Sequence, residues 1–206
     1  MVRLNKAMPL EHARTLLAGL SERVADCYEH ADRVVSLAER IAQRLGLPER
    51  DIAQVRLAAE LHDLGKVDIP PDVLASPQTL DRDAWETMKS HTVLGERILA
   101  DSGDPALIAI APYVRHHHEC VSGNGYPDGL VGEQIPLVSR IIAVADAYDA
   151  MAERRPYRDA KSHQRIIEVM TGEVGIRWDP EVFAAFLAVV KSDRALASEP
   201  RRSAAN

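Results

Sequence analysis

Apolar residues recur along this chain at intervals of three and four, and the period-two alternation of a half-buried strand is nearly absent. That pattern predicts an all-α fold, a bundle of about seven to nine helices. A first helix is expected over 10–20, ending near Gly19, as a packing or dimerisation element outside the core. The next carries Val34, Leu37, Ile41 and Leu45 on one stripe and stops at Gly46. Pro48, followed by Glu49 and Asp51, opens a third helix that runs through Ile52, Val55 and Ala59 to His62, with Gly65 as its terminator. A Pro-rich connection is expected over 67–80, after which Asp81 caps a helix that carries Trp85, Met88, Leu94 and Ile98. Asp104-Pro105 starts another, with Pro112 inside it as an expected kink. Gly123, Gly125, Gly129 and Gly132, with Pro127 and Pro136, mark a long irregular loop, and helices over 137–152, 162–174 and 180–191 complete the body.

With 206 residues and 46% hydrophobic content, the chain is long enough for one sizeable core. The expected division is a helical extension over 1–25, one catalytic domain over 26–191 and a flexible tail over 192–206. The 25 Lys and Arg against 31 Asp and Glu leave a net charge of −6, which argues against a protein that coats a nucleic-acid polymer or an anionic membrane. Any phosphate it handles is bound locally. Cys27 and Cys120 are far apart and form no paired motif, so both are read as reduced, incidental thiols. No apolar run reaches membrane-spanning length and the start is not a signal peptide, so a cytoplasmic location is expected.

The candidate chemistry lies in polar residues that occupy positions where an apolar one belongs. His30 shares the stripe of Val34, Leu37 and Ile41; His91 that of Ala84, Met88, Gly95 and Ile98; His117 that of Leu107, Ile110 and Val114. His62-Asp63 ends an apolar helix, and Asp146 interrupts the apolar run 141–145, with Asp149 one turn later on the same face. His116, beside inward-facing neighbours, is expected to turn outward as a bystander. Any one such histidine is more often a hydrogen-bonded core or surface side chain. Together they point to shared cations, because buried imidazoles and carboxylates are costly unless they are mutually compensated. Nitrogen and oxygen ligands without thiolate suit Fe, Mn, Co, Ni or Zn. Five histidines and two aspartates exceed what one ion needs, so two ions bridged by Asp63 are expected, a pair able to acidify a shared water and clamp phosphate oxygens. Lys66 is either a source of positive charge for a phosphate oxygen or an ordinary lysine at a helix C-terminus.

The segments His62-Asp63-Leu64-Gly65-Lys66, His117-His118-Glu119, Gly125-Tyr126-Pro127, Val144-Ala145-Asp146 and Arg155-Pro156-Tyr157-Arg158 stand in an order and spacing that is highly specific. Over about 26–186 the chain thereby resembles the HD-GYP family, a branch of the HD-domain metal-dependent phosphohydrolases. The resemblance implies hydrolysis of the bacterial second messenger cyclic di-GMP to pGpG, and to GMP if a second cleavage follows. It implies His30, His62, Asp63, His91, His117, His118 and Asp146 as ligands of two divalent transition metal ions, iron or manganese, with Asp63 and Lys66 as the catalytic pair. It further implies Lys66, Tyr126, Arg155 and Arg158 as substrate-binding, although a solvated helix end is an equal reading of the basic cluster that Arg154 shares with the last two. The loop of Gly125, Tyr126 and Pro127 becomes the candidate contact for a diguanylate cyclase (GGDEF) partner, and a homodimer stays open.

Members with a third metal have a glutamate four residues before His30; Asp26 stands here, one methylene shorter, which leans towards two firm ions and a weak third. Ser122 stands where many members have aspartate, and residues 1–25 are too short for the receiver or sensory domain that members often carry. Two other readings stay open: a phosphohydrolase acting on another cyclic dinucleotide or nucleotide, and a non-catalytic cyclic di-GMP-binding signalling module. The intact ligand set favours the enzyme.

Overall fold

The helical periodicity resolves, in the computed structural model, into ten α-helical segments, nine of them eight residues or longer, among the described residues 10–21, 27–76, 79–152 and 162–192. In chain order they are α1 (Leu10–Ser21), α2 (Cys27–Arg44), α3 (Glu49–Leu61), α4 (Pro71–Leu74), α5 (Arg82–Lys89), α6 (His91–Ala100), α7 (Pro105–Arg115), α8 (Leu137–Ala152), α9 (His163–Thr171) and α10 (Pro180–Ser192). Short 3-10 turns cover Leu64–Asp68 and Gly132–Gln134, and the described residues hold no strand, only isolated bridges such as Ser122 with Val131. None of these helices is long and apolar enough to cross a membrane.

The core forms where α2, α3, α8 and α10 meet. Val34, Ala38 and Ile41 of α2 are buried with Val55, Ala58 and Ala59 of α3, Ile141, Ile142 and Val144 of α8, and Phe183, Phe186 and Val190 of α10. Each large apolar side chain buried there contributes roughly 1.5–3 kcal/mol. The α2–α3 turn follows from sequence: α2 stops at Arg44, Gly46 takes the left-handed conformation at φ 75°, and Pro48 supplies the extended backbone before Glu49. The three helices after the glycine-rich loop lie within a few residues of their expected spans.

Three expectations need correction. α1 does not lie outside the core: Ala13, Leu17 and Leu20 are buried in the same cluster, against α2, α3 and the turn Leu64–Asp68, and Arg14 clasps Glu60 at 2.6 and 2.9 Å. The helix expected from Asp81 through Ile98 is two helices, α5 and α6, broken at Ser90. There the Ser90 hydroxyl donates to Thr87 O (2.6 Å) and His91 Nδ1 to Met88 O (2.7 Å), local bonds that compete with continued helix. The break resets the helical phase between α5 and α6, and Trp85 of α5 is 47% exposed. Lastly, the connection expected over 67–80 is not wholly irregular: it overlaps the end of the turn Leu64–Asp68 and holds the single helical turn α4, while α3 ends at Leu61 with His62 as its cap, as expected to within a residue. Asp26, Arg154, Arg155, Arg158 and the tail 193–206 lie outside the described residues.

Candidate metal centre

Helix ends supply most of this site. His30 comes from the first turns of α2 and Asp146 from the middle of α8. His62 is the residue after α3, Asp63 follows it with φ −96° and ψ 6°, and His91 opens α6 immediately after the break from α5. His117 and His118, expected on a helix, lie in the turn beyond α7, which ends at Arg115.

Three of these imidazoles are held in the same way. His62 Nδ1 lies 2.7 Å from Ala59 O, His91 Nδ1 2.7 Å from Met88 O, and His117 Nδ1 2.6 Å from Val114 O. Each carbonyl belongs to the last turn of a helix, where no intrahelical N–H remains to bond it. A carbonyl only accepts, so Nδ1 carries the proton and Nε2 the lone pair. The Nε2 atoms of His62, His91 and His117 are buried and have no hydrogen-bond partner among the described residues. An unsatisfied buried acceptor costs about 1–3 kcal/mol. Three orphaned lone pairs in one place fit a cation, which would satisfy all of them.

The ligand atoms fall into two groups. Those of His91, His117 and His118 lie within 4.8 Å of one another, and so do those of His30, His62 and Asp146. Asp63 stands between them, with Oδ2 3.4 Å from His62 Nε2 and Oδ1 3.6 Å from His91 Nε2. One carboxylate thus faces both groups, and a divalent ion in each would share it.

His30 is oriented differently. Its Nδ1 lies 2.8 Å from Asp149 Oδ2, its Nε2 3.2 Å from Asp146 Oδ1, and Arg33 grips Asp149 through Nε and Nη2 at 2.8–3.0 Å. Asp149 therefore fixes the ring of His30 and does not join the group itself, the kind of partnership on which ring orientation and basicity depend where a histidine binds a metal.

The electrostatics separate the two groups. Burial, reinforced by neighbouring imidazoles, pushes His117 well below the usual histidine range; burial likewise takes His118 down to about 3 and lowers His91. Burial thus favours the neutral form of all three imidazoles. Burial also acts to lower His30, but hydrogen bonds and charge from Asp146 and Asp149 outweigh it and carry the imidazole up to about 10. Burial opposes ionisation of Asp63, yet the positive charge of Lys66 holds the carboxylate well below its ordinary value. Asp146 is lowered in the same manner, with His30 as its partner. Lys66 Nζ lies 2.6 Å from Asp63 Oδ2, at the seam of the two groups.

Two glycines set the spacing. A Cβ at Gly65 would fall 1.9 Å from His91 O and 2.4 Å from Gly95 N, so only glycine lets the turn after Asp63 press onto the first turn of α6. At Gly125 a Cβ would fall 2.3 Å from Cys120 N, and the tight approach lets Tyr126 N donate to His118 O at 3.2 Å. Tyr126 is thereby placed with its ring centroid 5.0 Å from that of His118. Burial pushes its phenol up. Pro127 follows it, partly exposed like Gly125 and Tyr126.

Glu119 organises the rest of this loop. Buried, it accepts from the backbone N–H of Asp128 (2.7 Å) and Gly129 (3.0 Å) through Oε1 and of Leu130 (3.1 Å) through Oε2. Sequence reasoning quoted it only as part of a motif. Its signal was available: a carboxylate directly before a glycine-rich stretch whose amides need acceptors. His116 joins neither group, and its Nε2 lies 2.9 Å from Asp128 Oδ2.

A helical body that gathers a group of three histidines and a group of two histidines and an aspartate around the aspartate of a His-Asp dipeptide defines a protein of the HD type. Residues 14–182 match the family described as HD domain, and the chain belongs to that family, in its HD-GYP branch. It is 40% identical over 177 residues to the cyclic di-GMP phosphodiesterase of Thermotoga maritima, covering 85% of this chain and 48% of that protein. It is 36% identical over 200 residues to the cyclic di-GMP phosphodiesterase response regulator RpfG of Xanthomonas campestris pv. campestris, with 88% and 52% covered. To the 3'3'-cGAMP-specific phosphodiesterase 2 of Vibrio cholerae it is 35% identical over 158 residues, with 77% and 30% covered. The chain thus spans about half or less of the length of these relatives. Among solved structures, the cyclic GMP-AMP-specific phosphodiesterase V-cGAP3 of V. cholerae shares the fold, with TM-score 0.67, 18% identity and coverage of 93% of this chain and 51% of that one. The HD domain of L. monocytogenes PgpH in complex with cyclic-di-AMP does so with TM-score 0.59 and 18% identity, over 86% and 96%.

Proposed function

We propose that this chain is a metal-dependent phosphodiesterase that hydrolyses cyclic di-GMP to pGpG, with GMP following a slower second cut, in cytoplasmic second-messenger signalling. The observation that carries the reading is the set of three buried, partnerless Nε2 atoms beside a carboxylate that faces both ligand groups. The names of relatives 40% and 36% identical support the substrate.

In this reading His91, His117 and His118 hold one ion, His30, His62 and Asp146 hold the other, and Asp63 is shared. A thiolate-free nitrogen and oxygen set suits iron or manganese. When bound, such a pair supplies Lewis acidity and positive charge at a phosphodiester undergoing in-line displacement. The chain's own residues prepare that event. Helix-end carbonyls fix the imidazole tautomers, Asp149 and Arg33 fix His30, and Lys66 offers its ammonium N–H donors at the seam where phosphate oxygens would lie. Arg155, Arg158 and Tyr126 bind the nucleotide, Asp26 is the candidate ligand of a weak third ion, and the loop of Gly125, Tyr126 and Pro127 is the candidate contact for a GGDEF protein, with homodimerisation as a further assembly.

A second substrate has a specific observation in its favour, since a relative 35% identical is named for 3'3'-cGAMP. Incubating the iron- or manganese-loaded chain with cyclic di-GMP, 3'3'-cGAMP and cyclic di-AMP, with products identified over time, decides between them. Cyclic di-GMP is expected to be cleaved fastest. Failure to cleave it by a chain carrying two ions overturns the proposal.

A further inference from the structure

Resting on the cyclic dinucleotide reading above, we infer that Trp85 stacks on one purine of the substrate, one ring outward from Tyr126 at the mouth of the metal centre.

Helix α5 motivates the inference. Its polar and apolar residues divide cleanly between faces, yet none of its eight residues is buried, and its largest apolar side chain, Trp85, is 47% exposed. A single exposed aromatic is ordinary on a protein surface. Trp85 is set apart by its neighbours. Its ring meets that of Tyr126 edge to face at 6.3 Å and 77°, and Tyr126 in turn lies 5.0 Å from the ring of His118, a member of the first ligand group. The two aromatic rings therefore form a line leading from the metal centre to solvent. One turn along α5, the Lys89 ammonium lies 5.8 Å from the Tyr126 centroid, paired with the exposed Glu86 at 2.8 Å, an ion pair that an incoming phosphate would compete for.

A cyclic dinucleotide holds its two purines on either side of a phosphodiester ring. With a phosphate at the seam by Lys66, a base must leave the centre along some wall, and a flat indole beside a phenol and an ammonium matches the π-face and anionic backbone of a purine nucleotide. Trp85 is held without being covered: α5 is capped by Asp81, which accepts from Ala84 N at 2.8 Å, and Trp85 N bonds Asp81 O at 2.9 Å. Such a platform raises affinity for purine dinucleotides without touching the reacting atoms.

The test reads indole emission and kinetics separately. The chain has two tryptophans, and Trp178 is buried at 4% exposure, so a Trp178→Phe variant leaves Trp85 as the reporter. Rapid mixing of this metal-loaded variant with cyclic di-GMP should quench its emission before turnover. Trp85→Ala should raise KM for cyclic di-GMP roughly 5- to 50-fold, more than it lowers kcat, and Trp85→Phe should restore most of the loss. Because no residue of α5 is buried, circular dichroism of Trp85→Ala should match wild type. Hydrolysis with an unchanged KM in Trp85→Ala overturns the stacking inference and leaves the activity standing. Quenching without hydrolysis of any cyclic dinucleotide overturns the activity and keeps the stacking. Neither quenching nor hydrolysis overturns both.

Discussion

Gly65 and His91 touch backbone to backbone: a methyl group at position 65 would lie 1.9 Å from the His91 carbonyl oxygen. The contact brings Asp63, two residues before the glycine, within 3.6 Å of His91 Nε2 and so joins the two ligand groups. Gly65→Ala must push the turn off α6. It is expected to destabilise the protein by about 1–3 kcal/mol, the usual range for overpacking, and to lower metal content by at least one ion per chain. Thermal denaturation and elemental analysis of the same sample check this. An alanine variant with full metal content would mean that the turn and α6 can separate without parting Asp63 from His91.

Asp149→Asn keeps the volume of the side chain but removes the negative charge that Arg33 and His30 share. Weakened support of a ligating imidazole typically costs 10- to 100-fold in metal affinity. Chelator competition should show a loss of about that size, with helicity unchanged because the packing of α2 on α8 stays in place. An affinity equal to wild type would reduce Asp149 to a partner of Arg33 alone.

The long, strongly periodic elements were legible in sequence because burial dictates their stripes: α2, α3 and α8 have the faces that Val34, Val55 and Ile141 announce. The residues that the fold gathers into the two groups were legible for the converse reason, as polar residues where apolar ones belong. What escaped depended on relations between segments. Gly65 read as a helix stop because a glycine's backbone contact with a segment 26 positions away leaves no mark in local periodicity. The break between α5 and α6 escaped because the local bonds of Ser90 and His91 end one helix and begin another without a proline or glycine to mark the place. Asp149 was seen on the right face, but its pairing with Arg33 is a matter of three dimensions.

The metal-stripped chain should have a narrow stability optimum near neutral pH. Its folded state keeps His118 down to about 3 and His117 and His91 below their ordinary range, whereas an unfolded histidine titrates near 6.5. As pH falls below 6.5 the unfolded chain takes up protons that the folded chain does not, so stability drops towards pH 3. His30 acts in the opposite sense. Its folded value is raised to about 10, so its contribution is complete below 6.5 and is lost as pH rises through 10. Urea midpoints of the chelator-treated protein at about pH 5, 6.5 and 9 should therefore peak at the middle value. A steady rise from the lowest to the highest pH would contradict the pairing of His30 with Asp146 and Asp149.

Asp63 and His116 make the sharpest contrast between a polar residue that faces the ligand groups and one that faces away. Asp63 is the carboxylate within reach of both His62 and His91, and Lys66 leans on it at 2.6 Å. Asp63→Ala removes the charge that both ions would share and leaves the Lys66 ammonium beside an imidazole cluster, so metal content and hydrolysis should fall together to background. The helices should remain, since α3 has already ended at Leu61 and its buried face is untouched. His116 instead shares Asp128 with Arg115, outside both groups. His116→Ala should keep both ions and change kcat/KM by less than about tenfold, a shift of under ~1.4 kcal/mol in transition-state stabilisation. Metal analysis, circular dichroism and steady-state rates on the two variants side by side decide the matter. Equal losses of metal would show that His116 turns inward when ions bind, and that the outward pairing with Asp128 belongs to the ion-free protein alone.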